Sequence, residues 1–138
     1  MANIDLQSYH ASDNFRLARS KHLFELADGT YNLIQLPKFA FVENLILDIT
    51  QALTGGSTGT ITIGFTGNGE SVDPDGFMDD TFAAPTVLGM KQMLGDTQPG
   101  SKGKWFNDAS GFVTISLAQG NSSAALRAFV FVQYSVLH

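Results

Sequence analysis

The sequence predicts an all-β protein: a single-domain antiparallel β-sandwich or jelly roll that carries an N-terminal arm. Three observations predict it. Apolar and polar residues alternate with a period of two in several separate runs, the pattern of strands with one buried face. The runs are short and are divided by clusters of Gly, Asn, Asp, Ser and Pro, the residues that turn a chain. The chain also holds 14 Gly and 11 Phe, and 43% of its residues are hydrophobic against 15% charged, a composition that argues against disorder. At 138 residues it has the length of one domain and can bury one sizeable core. The expected division is residues 1–21 for the arm and 22–138 for the sandwich domain.

The arm is polar and weakly patterned. Ser12 and Asp13 are candidate caps for a short helix through Phe15, Leu17 and Ala18. The alternative is an extended arm, in which Ile4, Leu6, Tyr9, Phe15 and Leu17 would need an apolar surface to lie on, and simple disorder competes with both. Arg16, Arg19 and Lys21 form a small basic cluster that could pair with an acidic partner surface. An arm of this kind would be dispensable for the fold of the domain that follows.

His22–Leu26 and Thr30–Leu36 read as two strands joined at Asp28-Gly29, a hairpin turn signal. Pro37 ends the second, because proline donates no ladder hydrogen bond. In Val42–Thr50, Leu45, Leu47 and Ile49 share one face, and Val42, Asn44, Ile46 and Asp48 the other. Thr60–Thr66 turns Ile61, Ile63 and Phe65 inward and threonine outward. Gly67–Asp80 reads as a turn-rich acidic loop. Val87–Leu94 is either a strand or a helical turn, Lys104–Phe106 a short strand, and Asn107–Gly111 a turn. Phe112–Leu117 alternates strictly. The run from Ala124 to Leu137 is a long strand with Leu126, Ala128, Val130, Val132, Tyr134 and Val136 on one face. Its other face carries Arg127, Phe129, Phe131, Gln133 and Ser135, so this is a central strand or one whose outer face a second subunit covers. Phe129 and Phe131 therefore predict a homo-oligomer, a trimer above all. About seven or eight strands at short spacing favour a sandwich or jelly roll.

The residues that could carry chemistry are few. Asp73, Asp75, Asp79 and Asp80 resemble a calcium loop superficially, but the EF-hand order is not met, and Pro-Asp-Gly is an ordinary turn. Calcium is the one cofactor worth weighing; otherwise none is expected. No carboxylate stands apart as the acid of a glycosidase pair. His10, His22 and His138 are scattered, and no G-x-S-x-G occurs. Gly64–Gly69 lacks the Lys-Ser/Thr of a phosphate cradle and reads as a strand end plus a turn. Trp105 and Phe106 could stack on a sugar, though core packing or a subunit contact is commoner for such a pair. The expectation is a protein that is not an enzyme. A net charge of −5 argues against a nucleic-acid partner. No run approaches the roughly 18 apolar residues of a membrane span, so no membrane partner is expected. Cysteine is absent, which rules out disulfides and thiolate metal sites. The first residues do not read as a signal peptide, so synthesis in a cytoplasm is expected.

The segment from Leu36-Pro37-Lys38 through ENLILDITQALTGGSTGTITIGFTGNGE to DPDGFMDD resembles a recurrent block of small tailed-phage virion proteins. There a Leu-Pro-Lys entry leads to a strand ending in Asp-Ile/Val-Thr, followed by a Gly-Gly-Thr turn, a Thr-Ile-Thr-Ile/Val-Gly strand and an Asp-Pro-Asp-Gly-Phe loop. The terminal strand ending in Gln-Tyr is also similar. The resemblance covers residues 36–80 well and 112–136 loosely. It implies a capsid decoration (cement) protein, or another minor virion component of the tail, neck or fibre: β-rich, often trimeric, bound to the major capsid protein of an assembled head, and located in the virion after synthesis in the host cytoplasm. It brings no catalytic residues. A carbohydrate-binding β-sandwich that uses calcium is the competing class.

Overall fold

The computed structural model describes residues 15–19, 23–24, 28–54, 58–122, 124 and 126–136. They form an all-β sandwich of ten antiparallel strands: β1 (Phe15–Arg19), β2 (Leu23–Phe24), β3 (Gly29–Leu36), β4 (Ala40–Gln51), β5 (Thr60–Gly67), β6 (Glu70–Met78), β7 (Gly89–Gln92), β8 (Lys104–Phe106), β9 (Gly111–Ala118) and β10 (Arg127–Val136). The described residues include no α-helix, only a 3-10 turn at Met93–Gly95.

The first sheet is ordered β1-β10-β4-β7. Its middle is the long pair β10 and β4, and each outer side is shared by two short strands. β1 and β2 lie along β10, and β7 and β8 lie along β4. The second sheet is ordered β3-β9-β5-β6. Inward faces of both sheets meet in one core. From the first come Val42, Leu45, Leu47, Ile49, Ala128, Val130 and Val132; from the second come Ile34, Leu36, Ile61, Ile63, Phe65, Val113, Ile115 and Leu117. Phe77 and Phe106 are fully buried and pack edge-on against Phe65, with ring centroids 5.5 and 6.2 Å away. Aromatic pairs at this spacing and tilt add to the burial of their area.

Several elements differ from their sequence reading. The expected hairpin around Asp28-Gly29 does not form: β2 pairs with β10 in one sheet and β3 with β9 in the other. The Asp28 carboxylate instead accepts a hydrogen bond from the Gln119 amide, at 3.0 Å, so it ties β3 to the end of β9. Phe15–Arg19 is a strand rather than a capped helix, with Phe15 opposite Ser135 and Arg19 opposite Phe131. The first sheet thus extends upstream of residue 22, into the stretch read as an arm; Ile4, Leu6 and Tyr9 lie outside the described residues.

In β4, Val42 is buried along with Leu45, Leu47 and Ile49, although strict alternation sets it on the opposite face. The register explains it. Gln133 faces Asn44 but Tyr134 faces Val42, so Glu43 is one extra residue in the ladder. Such a bulge shifts the side-chain phase by one. The Asn44 side-chain oxygen accepts the Leu45 amide there, at 2.9 Å.

The acidic stretch read as a loop is largely strand β6, turned back on β5 by Asn68-Gly69. Both turn residues have positive φ, 57° and 68°, as a two-residue hairpin turn that follows the strand twist requires. β6 is an edge strand, which is where proline is tolerated, and it carries Pro74 in an irregular stretch between the pairings of Asp73 with Phe65 and Met78 with Ile63. The chain comes so close there that a Cβ at Gly64 would stand 1.9 Å from the Asp73 carbonyl oxygen. Val87–Leu94 resolves as both of its expected alternatives: strand β7, then the 3-10 turn.

Candidate interaction surfaces

The outward face of the first sheet follows from its register. Cross-strand partners share a face, which puts Met90, Asp48 and Phe129 in one row. Gln92, Ile46 and Phe131 make the next row, and Asn44 and Gln133 a third. Beyond the bulge, Trp105, Phe41 and Ser135 form the last. The face is thus apolar at both ends and amide-rich between. Phe129 and Phe131 are half-buried, their centroids 6.2 Å apart. Phe41 and Trp105 pack with ring centroids 4.8 Å apart and planes tilted by 41°, and Trp105 remains 44% exposed. The Asn44 amide donates to the Gln92 side-chain oxygen at 3.3 Å, and the Ser135 hydroxyl donates to the Glu43 carboxylate. Phe106, its sequence neighbour's opposite, points into the core. By register Phe15, Leu17 and Arg19 extend this face, opposite Ser135, Gln133 and Phe131, whereas Arg16 stands opposite Tyr134, in the row of Val42.

At the opening of β6 a polar corner is held by Asn68, which is 3% exposed. Its side-chain oxygen accepts the amides of Asp108 and Ala109, at 2.8 and 3.1 Å. Its side-chain nitrogen donates to the Glu70 carboxylate, at 2.7 Å, and to the Trp105 carbonyl, at 3.2 Å. Lys104 completes the corner with an ion pair to Glu70 at 2.6 Å, and its ammonium lies 4.5 Å from the centroid of the Phe65 ring. The hydrogen bonds from Lys104 and then Asn68 hold the Glu70 carboxyl below its ordinary range.

The four aspartates do not converge. Partial burial, a hydrogen bond with Asp73, and the charges of Asp73 and Asp79 push the Asp75 carboxyl above its ordinary range. Asp79 turns away from that pair: one of its oxygens accepts the Phe82 amide at 2.8 Å and the other the Gln98 side chain at 3.0 Å. Its own amide donates to Asp96 at 2.9 Å. Asp80 is exposed. Among the described residues no three His, Cys, Asp or Glu side chains are grouped so as to hold a metal ion. Asp79 and Asp96 organise the long connection between β6 and β8, a role the local sequence does not announce.

Four exposed apolar residues that sequence reasoning passed over lie at the β7 edge: Val87, Leu88, Met90 and Leu94. The apolar period of this stretch does not report exposure. No helix of the described residues is long and apolar enough to cross a membrane.

No protein-family model matches the sequence, and no curated protein matches it either. Solved structures do match the fold. A chain in the acidic stable capsid structure of Helicobacter pylori bacteriophage KHP30 superposes with a TM-score of 0.66 at 18% identity, over 88% of this chain and 87% of that one. A chain of the cyanophage Pam1 capsid asymmetric unit gives 0.65 at 16% identity, over 90% and 86%. A chain in the capsid of Ralstonia phage GP4 gives 0.64 at 16% identity, over 91% and 86%. At these identities the likeness is one of fold: the chain shares its sandwich, nearly end to end, with chains found in three phage capsids.

Proposed function

We propose that the protein is a non-enzymatic structural component of a tailed-phage virion, a decoration (cement) protein that binds the major capsid protein as a homotrimer and stabilises the assembled head. The observation that carries this reading is the fold likeness to chains of three phage capsids, which extends over 88% to 91% of the chain. The strand order supports the jelly-roll form: each sheet sets a late strand between early ones, β10 between β1 and β4 and β9 between β3 and β5, and the chain passes from sheet to sheet at β2–β3, β3–β4, β4–β5, β6–β7, β8–β9 and β9–β10.

A cement protein needs a stable fold and several contact surfaces, and no reaction chemistry. The outward face of the first sheet, with Phe129 and Phe131, is the surface that would lie on the capsid. Ile4, Leu6, Tyr9, Phe15 and Leu17 would add apolar contacts, and Arg16 and Arg19 would pair with acidic capsid groups. Binding only the assembled lattice stabilises that lattice by mass action, and three linked subunits add avidity.

The test is cosedimentation with capsids of the encoding phage from which the protein has been stripped. Retention on assembled capsids, together with a higher capsid melting temperature, is expected. Failure to bind heads, with density for the protein found at the tail, neck or fibre by electron cryomicroscopy of virions, would overturn the head assignment.

A further inference from the structure

The sequence contains a single Asn-Gly pair, Asn68-Gly69, and it forms the turn from β5 to β6. This dipeptide is chemically labile. The backbone nitrogen of the second residue can attack the side-chain carbonyl carbon of the asparagine, and a glycine there leaves the approach unhindered. A C–N bond forms and closes a cyclic imide. The bond to the side-chain nitrogen breaks, and ammonia leaves with the proton of the attacking amide. Water then opens the imide at either carbonyl, giving aspartate or isoaspartate. Gly69 stands in the open: no atom lies within 4 Å of where its Cβ would be.

The carbon to be attacked is held elsewhere. Asn68 is 3% exposed. Its side-chain oxygen accepts the Asp108 and Ala109 amides, and its side-chain nitrogen donates to the Glu70 carboxylate and the Trp105 carbonyl. Its backbone amide donates to the Ser110 carbonyl at 3.0 Å. Apart from Glu70, the side-chain partners lie 37 or more residues along the chain, so they are fixed by the sandwich and not by the turn. The Asn68 side chain cannot swing onto the Gly69 nitrogen without releasing them. Reaction therefore needs the corner to open.

We propose that Asn68-Gly69 is a deamidation site that the folded corner keeps unreactive, and that deamidation there prevents the corner from closing again. The product sets an acceptor oxygen where the side-chain nitrogen stood, 2.7 Å from a Glu70 carboxylate oxygen and 3.2 Å from the Trp105 carbonyl. Two donated bonds become two acceptor–acceptor contacts, and one of these sets charge against like charge. Lys104 is already paired with Glu70. Isoaspartate also lengthens the backbone inside a two-residue turn whose positive φ values leave little latitude. Because Trp105 belongs to β8, the change reaches the Phe41–Trp105 pair on the outward face. The proposal stands on the chemistry of the turn and is independent of the capsid role.

The test incubates the full-length protein at mildly alkaline pH, folded and in denaturant, and follows conversion at position 68 by peptide mass spectrometry. In denaturant, position 68 is expected to react ahead of every other asparagine. In the folded protein its rate is expected to fall at least about a hundredfold, because the reaction waits on a local opening. Equal rates in the two states would overturn the proposal, and this comparison needs no variant to fold. Glu70→Ala removes one partner of the side-chain nitrogen. It is expected to speed the folded-state reaction about tenfold and to leave the rate in denaturant unchanged. An unchanged folded-state rate would show that the corner is not what protects the site. Asn68→Asp reproduces the direct product and is expected to melt below the parent at neutral pH. Equal melting would overturn the claim that the modified corner stays open.

Discussion

Single residues decide how the corner at β6 is held. Asn68 combines a positive φ with side-chain bonds to two amides, a carboxylate and a carbonyl. Asn68→Ala keeps the chain but leaves these partners unmatched in a buried place, so a loss of about 2–4 kcal/mol in denaturant unfolding is expected. An unchanged midpoint would remove Asn68 from this role. Asp75 gives a prediction in pH. Its carboxyl titrates above the ordinary aspartate range in the fold. The stability it contributes is therefore present below the unfolded pKa of about 3.9 and is lost as pH rises through the folded value. Asp75→Asn should melt higher than the parent at pH ~7 and converge with it at pH ~3. A difference that is constant across this window would contradict the assignment. Glu70 acts in the opposite sense: its pKa is lowered, so its contribution is present above the unfolded value and fades as pH falls through the folded one. Asn-Gly was legible as a turn from the sequence, but its grip on residues 105–110 was not, because those partners lie in a distant strand connection.

At the scale of elements, alternation located the cores of β4, β5, β9 and β10 well, since inward and outward positions two apart are a local property of a strand. It missed the bulge at Glu43, where the partner strand supplies one residue fewer. It also missed β6, since Pro74 and Gly76 read as loop and only an edge position makes them tolerable in a strand. β1 is the element with the clearest test. Deleting residues 1–14 spares it, while deleting residues 1–21 removes its five pairings with β10 and leaves that side of β10 open. The shorter deletion should melt near the parent. The longer should melt several degrees lower and be more prone to aggregate, as an uncovered edge is. Equal melting of both would show that β1 adds nothing to the subunit. Reduced capsid retention by the shorter deletion alone would assign Ile4, Leu6 and Tyr9 to the partner contact.

For the whole molecule, the question is which surfaces meet other proteins. Phe131 sits half-buried on the outward face, opposite Ile46 and next to the Asn44–Gln133 row. Phe131→Ser should lower retention on capsids at least about tenfold, the scale of losing one apolar anchor. Its melting temperature should change little, because the core face of β10 is untouched. Binding that survives, or a subunit that no longer folds, would return Phe131 to the fold rather than the interface.

The sequence by itself determines the all-β class and the division of most strands into inward and outward faces. These rest on period, turn chemistry and residue type, which act between near neighbours. Only the tertiary structure decided that β2 and β3 part into different sheets, that Glu43 shifts the phase of β4, that Asp79 serves its own loop and that Val87, Leu88, Met90 and Leu94 are exposed. Each of these depends on which distant segment lies alongside. Strand pairing is chosen by how two whole faces close over one core, and the local pattern of either strand does not carry that choice.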